Sequence, residues 1–124
     1  MLLALVASIL SANHVRWCGD FDKAHKEAVR QDKLLLVLLV KKDCNFCKDT
    51  MKRAFLNKSY IEKINDKFIS VIVTKNQKAS YPIEMLYTFT YPTLFFLDKN
   101  ELLVNEPIRG DVTPDKLKSY LEEF

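Results

Sequence analysis

The sequence predicts an α/β domain built on a mixed sheet of about four strands with helices on both faces. Three observations carry this. The run from Leu34 to Val40 is apolar throughout and bounded by charge, which reads as a strand buried on both faces. Segments of helical period alternate with such runs along the chain, the pattern of a sheet covered by helices. Two cysteines, Cys44 and Cys47, fall where this strand hands over to a helix.

The elements follow in order. Residues 1–12 are uniformly apolar or small, too short to span a bilayer, which takes about 20 residues. They match the apolar region of a secretory signal peptide, with Ser11-Ala12 as its small-residue cleavage site, although no Lys or Arg precedes the run. A signal peptide is therefore expected over 1–12 and a single domain over 13–124. Phe21, Ala24, Ala28 and Val29 recur at helical spacing, with Asp20 placed to cap and Lys23, Lys26 and Arg30 on the wet side. After the Leu34–Val40 strand, helical spacing runs from about Asn45 to Asn65, with a break near Asn57-Lys58-Ser59 where Ser59 is the expected second cap. Phe68 to Val73 is rich in β-branched residues and reads as a strand. Lys75 to Tyr81 is polar and loop-like, and Ile83 to Tyr87 reads as a short helix. Leu94-Phe95-Phe96-Leu97, the turn Asp98-Lys99-Asn100 and Glu101 to Val104 read as a β-hairpin. Thr113-Pro114-Asp115 is a helix start, with the last helix running to Phe124. The expected order is αβαβαββα.

Composition narrows the function. With 124 residues, 48% apolar and 28% charged, the chain is one soluble domain able to bury a core without structural metals or disulfides. The net charge is +3, and its lysines are interleaved with 16 acidic residues, which argues against a nucleic-acid footprint. Three cysteines make no disulfide scaffold. One pair is spaced for redox or metal chemistry, and Cys18 is left over as a bystander. His14, His25 and Cys18 show no ligand-pair spacing, which disfavours zinc, and His25 reads as a satisfied surface residue. Trp17 reads as a packing residue.

The cysteine pair carries the chemistry. A thiol at a helix start faces unpaired backbone N–H groups and the positive end of the helix dipole, both of which favour thiolate. A second thiol three residues on shares the helical face and can close a small disulfide ring. Asp43 is a candidate cap, but its charge competes with a thiolate at Cys44, and solvated Lys41, Lys42 and Lys48 offset it only in part. The Cys44 pKa is expected below that of a free thiol, toward the upper part of the range of activated cysteines.

Cys44-Asn45-Phe46-Cys47 after an apolar strand, Tyr91-Pro92-Thr93 before a Leu-Phe-Phe-Leu strand, Asp98-Lys99-Asn100 and Gly110 before the last helix together resemble the thioredoxin superfamily. Trp17-Cys18-Gly19-Asp20-Phe21 is similar to the opening of its small exported members. The resemblance implies the thioredoxin fold and a thiol–disulfide oxidoreductase, with Cys44 attacking and Cys47 resolving. It also implies a cis-proline at Pro92, and substrate contacts at Asn45, Phe46, Tyr91, Pro92 and Thr93. No cofactor beyond the redox-active Cys44–Cys47 disulfide is implied. The expected partners are protein thiols and disulfides and an upstream redox partner, met by a monomer in a bacterial periplasm, with the cytoplasm as the alternative location. Reduction of partner disulfides is the favoured direction; a polypeptide-binding or chaperone module without turnover is the competing function. Two departures stand out: Leu38 occupies the place of the buried aspartate of thioredoxins proper, and Asp43 that of the tryptophan before the first cysteine.

Overall fold

The computed structural model of the chain describes residues 14–76 and 86–124. The N-terminal apolar run, the polar stretch after Asn76 and most of the short helix expected over 83–87 lie outside them; Leu86 itself lies in a turn.

Strand β2 (Leu34–Val40) is the centre of a five-stranded sheet, one strand more than expected. It pairs in parallel with β3 (Phe68–Thr74) and antiparallel with β4 (Thr93–Leu97). Two short edge strands went unread in the sequence: β1 (Trp17–Cys18), parallel to β3, and β5 (Ile108–Arg109), antiparallel to β4. At two residues each, they are too short to show a period. Spatial order is β1-β3-β2-β4-β5.

The β2 side chains alternate between two cores, which explains its uninterrupted apolar run. Leu36 and Leu38 join Ile61, Ile64, Leu94, Phe96 and Leu117 on one face. Leu35, Val37 and Leu39 join Phe21, Ala24, Ala28, Phe95 and Leu97 on the other. Helix α1 (Phe21–Gln31) covers the second face, with the Asp20 carboxylate accepting the Lys23 N–H at 3.1 Å as expected of a cap. Helices α2 (Asn45–Ala54), α3 (Lys58–Lys67) and α4 (Pro114–Leu121) supply the first. The break between α2 and α3 falls where expected, but its cap is Asn57. The Asn57 side-chain oxygen accepts the N–H groups of Ser59 and Tyr60, a reach Ser59 lacks from inside the first turn. Thr113 caps α4, which ends at Leu121; Phe124 packs beyond it on Phe68, 5.1 Å between ring centres.

The expected hairpin is corrected. Residues 101–104 form no strand and touch β4 through one bridge, Leu97 to Leu103, while Leu102, Leu103 and Val104 stay largely exposed. The Asp98 carboxylate takes the N–H groups of Asn100 and Leu102, drawing the chain into a turn. Strand β5 takes the place beside β4 instead, with Leu94 opposite Ile108. Continuing that register sets Pro107 opposite Phe95, and proline has no N–H to extend the ladder.

This assignment makes a paired prediction. Phe96 is fully buried and packs 5.2 Å from the Tyr120 ring, so Phe96→Ala should cost about 3–5 kcal/mol in urea unfolding. Leu102→Ala, at an exposed turn, should change stability by less than about 0.5 kcal/mol.

Candidate functional site

The two ladders of β2 place the site. Leu39 pairs with Thr93 and Val40 with Thr74, so β2 leaves the sheet beside the point where β4 enters it. The chain after Val40 and the Tyr91-Pro92 segment therefore share one end of the sheet.

Lys41, Lys42 and Asp43 turn the chain into α2. Asp43 has φ 59°, the left-handed region that aspartate tolerates better than most L-residues. Asp43 is thus not the cap. That position belongs to Cys44, whose Sγ accepts the Cys47 N–H at 3.1 Å, doing with sulfur what Ser or Asp does with oxygen. Cys44 and Cys47 are joined as a disulfide, with Cα atoms 5.2 Å apart, across the first turn of the helix. Cys44 is 7% exposed and Cys47 3%, so both residues are buried, Cys44 slightly less so. Asn45 and Phe46 bulge outward between them, Phe46 being 46% exposed. Leu38 is fully buried on the face that α2 covers, an apolar neighbour where thioredoxins proper hold an acid. One turn beyond Cys47, the buried Thr50 hydroxyl has no hydrogen-bond partner among the described residues.

The Tyr91–Pro92 peptide bond is cis and Pro92 is buried. Hydroxyls knit this loop: Thr93 Oγ1 donates to the Thr90 carbonyl at 2.6 Å, Thr90 N–H donates to Thr88 Oγ1, and Tyr91 Oη reaches the Thr88 carbonyl. Thr93 is fully buried, and its side chain holds the loop from within. Gly110 clamps the same loop. Its N–H donates to the Pro92 carbonyl at 2.7 Å, its φ is 78°, and a Cβ there would come within 2.8 Å of Thr90 Cγ2. The sequence signals this only as a lone glycine before the last helix.

Other candidates lie elsewhere. His25 is satisfied at the far side of α1, with Nε2 at 2.7 Å from the Lys99 carbonyl and Nδ1 at 3.2 Å from the Glu101 carboxylate. Trp17 packs edge-on to Phe55, 5.2 Å between ring centres. Cys18, on β1, is a half-buried free thiol; burial, then the Glu27 charge, raise its pKa. Among the described residues, no group of three His, Cys, Asp or Glu is placed to hold a metal, and no helix is long and apolar enough to cross a membrane.

A dithiol–disulfide pair at a helix start, beside a cis-proline loop on a mixed sheet, defines the thioredoxin-like class. Residues 21–124 match the sequence profile of the thioredoxin-like domain, and the chain belongs to that family. No curated protein matches it. Solved structures share the fold across most of the chain. A thioredoxin from Thermus thermophilus is 14% identical over 88% of this chain and 85% of that one, with TM-score 0.71. A candidate disulphide-isomerase from Bacteroides thetaiotaomicron is 24% identical over 89% and 93%, with TM-score 0.71. The oxidised C-terminal domain of Neisseria meningitidis DsbD is 19% identical over 86% and 97%, with TM-score 0.62. At these identities the likeness establishes the fold.

The local geometry sets two expectations. Asp43→Val should lower stability by about 1–2 kcal/mol relative to Asp43→Gly, because a β-branched residue is poorly accommodated at positive φ; equal urea midpoints would contradict this. A raised Cys18 pKa means less thiolate at neutral pH. Iodoacetamide should therefore label Cys18 more slowly than a solvent-exposed thiol, the gap closing as the pH rises past its raised pKa.

Proposed function

We propose that the protein is a thiol–disulfide oxidoreductase that reduces disulfides in other polypeptides. One observation carries the reading: the Cys44 sulfur caps α2 and accepts the Cys47 N–H while the two sulfurs lie within bonding distance. In the reduced protein the same N–H and the helix dipole favour a thiolate at Cys44.

That thiolate attacks one sulfur of a partner disulfide; the other partner sulfur leaves as thiolate and takes up a proton. The product is a mixed disulfide through Cys44. Cys47, deprotonated, then attacks Cys44 Sγ, and the second partner sulfur leaves. The partner gains two electrons as a dithiol, and Cys44–Cys47 becomes the disulfide. An upstream dithiol protein restores the reduced pair by the reverse exchange. With Leu38 in the core, β2 supplies no carboxylate as a general base for the resolving thiol.

Substrate contact falls to the outward residues Asn45 and Phe46 and to Tyr91. Neither the N–H nor the C=O of Tyr91 makes a backbone hydrogen bond among the described residues, which suits pairing with an extended polypeptide. Pro92, buried and without an N–H, shapes that edge. The apolar run at 1–12 supports export to a bacterial periplasm, and the domain is assigned as a monomer.

Exposed Phe46 favours a second reading, capture of polypeptides without turnover. Cysteine variants separate the two. Cys44→Ser should abolish reduction of insulin disulfides, and Cys47→Ala should accumulate mixed disulfides through Cys44, visible on non-reducing gels. Unmodified protein that binds unfolded polypeptide but reduces no insulin would establish the capture module instead.

A further inference from the structure

Three side chains converge where the sheet stops. Continuing the β2–β4 register past Leu39–Thr93 sets Lys41 opposite Tyr91. Continuing the β2–β3 register past Val40–Thr74 sets Lys41 beside Lys75, and the alignment does persist: the Lys75 N–H donates to the Val40 carbonyl at 2.8 Å. Two-residue alternation puts all three on the face that carries Leu39 and Val73. Their side chains meet there. The ammonium of Lys41 lies 5.9 Å from the centre of the Tyr91 ring and that of Lys75 5.5 Å.

Both lysines are exposed, and among the described residues neither has a carboxylate within ion-pair distance; Asp43, two residues beyond Lys41, pairs with neither. Two ammonium groups thus lie within 6 Å of one ring centre, and the ring offsets their positive charge only in part. The net positive charge they leave at this edge attracts an anion. Beside them a crevice of about 180 Å³ is lined by Leu39, Leu86, Tyr87, Phe89 and Tyr91, with Lys75 among its walls. Tyr87 is 58% and Phe89 86% exposed, and their rings stack edge-on at 5.1 Å. A cationic pair over an apolar wall, next to the backbone edge of Tyr91, has the chemistry for an extended chain bearing a carboxylate.

Resting on the oxidoreductase reading above, we propose that Lys41, Lys75 and Tyr91 form a specificity subsite for an aspartate or glutamate of the substrate polypeptide, near its disulfide. The enzyme then selects disulfides in acidic sequence, and the two lysines act on recognition and encounter, while the cysteines alone exchange electrons.

The test uses the full chain, pre-reduced, and two disulfide-looped peptides that differ only in carrying Glu or Gln at the positions flanking each cysteine. At low salt kcat/KM should favour the Glu peptide about ten-fold, within the range of electrostatic steering. The ratio should approach one near 1 M salt, where the screening length is about 3 Å. The Lys41→Gln/Lys75→Gln variant should lose the preference at low salt, and Lys41→Arg/Lys75→Arg should keep it. Taking the ratio removes any change in sulfur reactivity, which affects both peptides alike. A ratio near one in the unmodified protein, or a preference that survives the Gln variant, overturns the subsite. Affinities of the reduced peptides for a Cys44→Ser/Cys47→Ser variant, from NMR titration, give the same ratio without turnover. If neither peptide is reduced, the oxidoreductase reading falls, and the affinity ratio alone decides the subsite.

Discussion

Strand β2 is hydrogen-bonded along both edges to partners of opposite sense, β3 parallel and β4 antiparallel, and the site depends on that pairing. Parallel pairing makes β2 and β3 end together, delivering Lys41 and Lys75 to one edge. Antiparallel pairing makes β4 begin where β2 ends, delivering Tyr91 and Pro92 to the same edge. A strand buried on both faces cannot slip by one residue without reversing which side chains meet each core. Full burial of Leu35 through Leu38 is therefore also what fixes the position of Cys44, a few residues downstream.

At that edge a sulfur does the work of a helix cap. Cys44 satisfies one of the N–H groups that a helix leaves open at its start, and the same contact is what would stabilise its thiolate. Asp43 precedes it in the left-handed conformation, which reverses the chain sharply enough to seat the sulfur over the first turn. Structural and chemical roles thus fall on the same atom. Both cysteines are buried, Cys44 slightly less than Cys47.

The facing loop is held from behind by neutral groups. Thr88, Thr90 and Thr93 exchange hydroxyl and backbone bonds, and the Gly110 N–H holds the Pro92 carbonyl. These bonds spend the loop's inner polar groups on itself, while the half-buried Tyr91 packs its ring on the second core and its own N–H and C=O make no backbone hydrogen bond among the described residues. Charge enters from outside, through Arg109 Nη1 on the Tyr87 carbonyl and through Lys41 and Lys75 over the Tyr91 ring.

Much of this was written locally. The burial of β2, the caps Asp20 and Thr113, the cysteine pair at a helix start and Tyr91-Pro92-Thr93 all depend on residues a few positions apart, so the sequence by itself determined them. Where a local signal was weaker than its competitor, the reading slipped: Asn57 caps in place of Ser59, and Cys44 in place of Asp43. Tertiary structure decided the rest. Strands β1 and β5 exist only because β3 and β4 offer free edges, and the absence of an N–H at Pro107 stops the β4–β5 ladder at Ile108. Thr93 turned inward because its hydroxyl bonds the Thr90 carbonyl within the fold. The meeting of Lys75, Lys41 and Tyr91 follows from two registers at once. Periodicity reports how deeply a residue is buried, but a register is a set of hydrogen bonds between residues distant in the chain, and only the assembled sheet forms them.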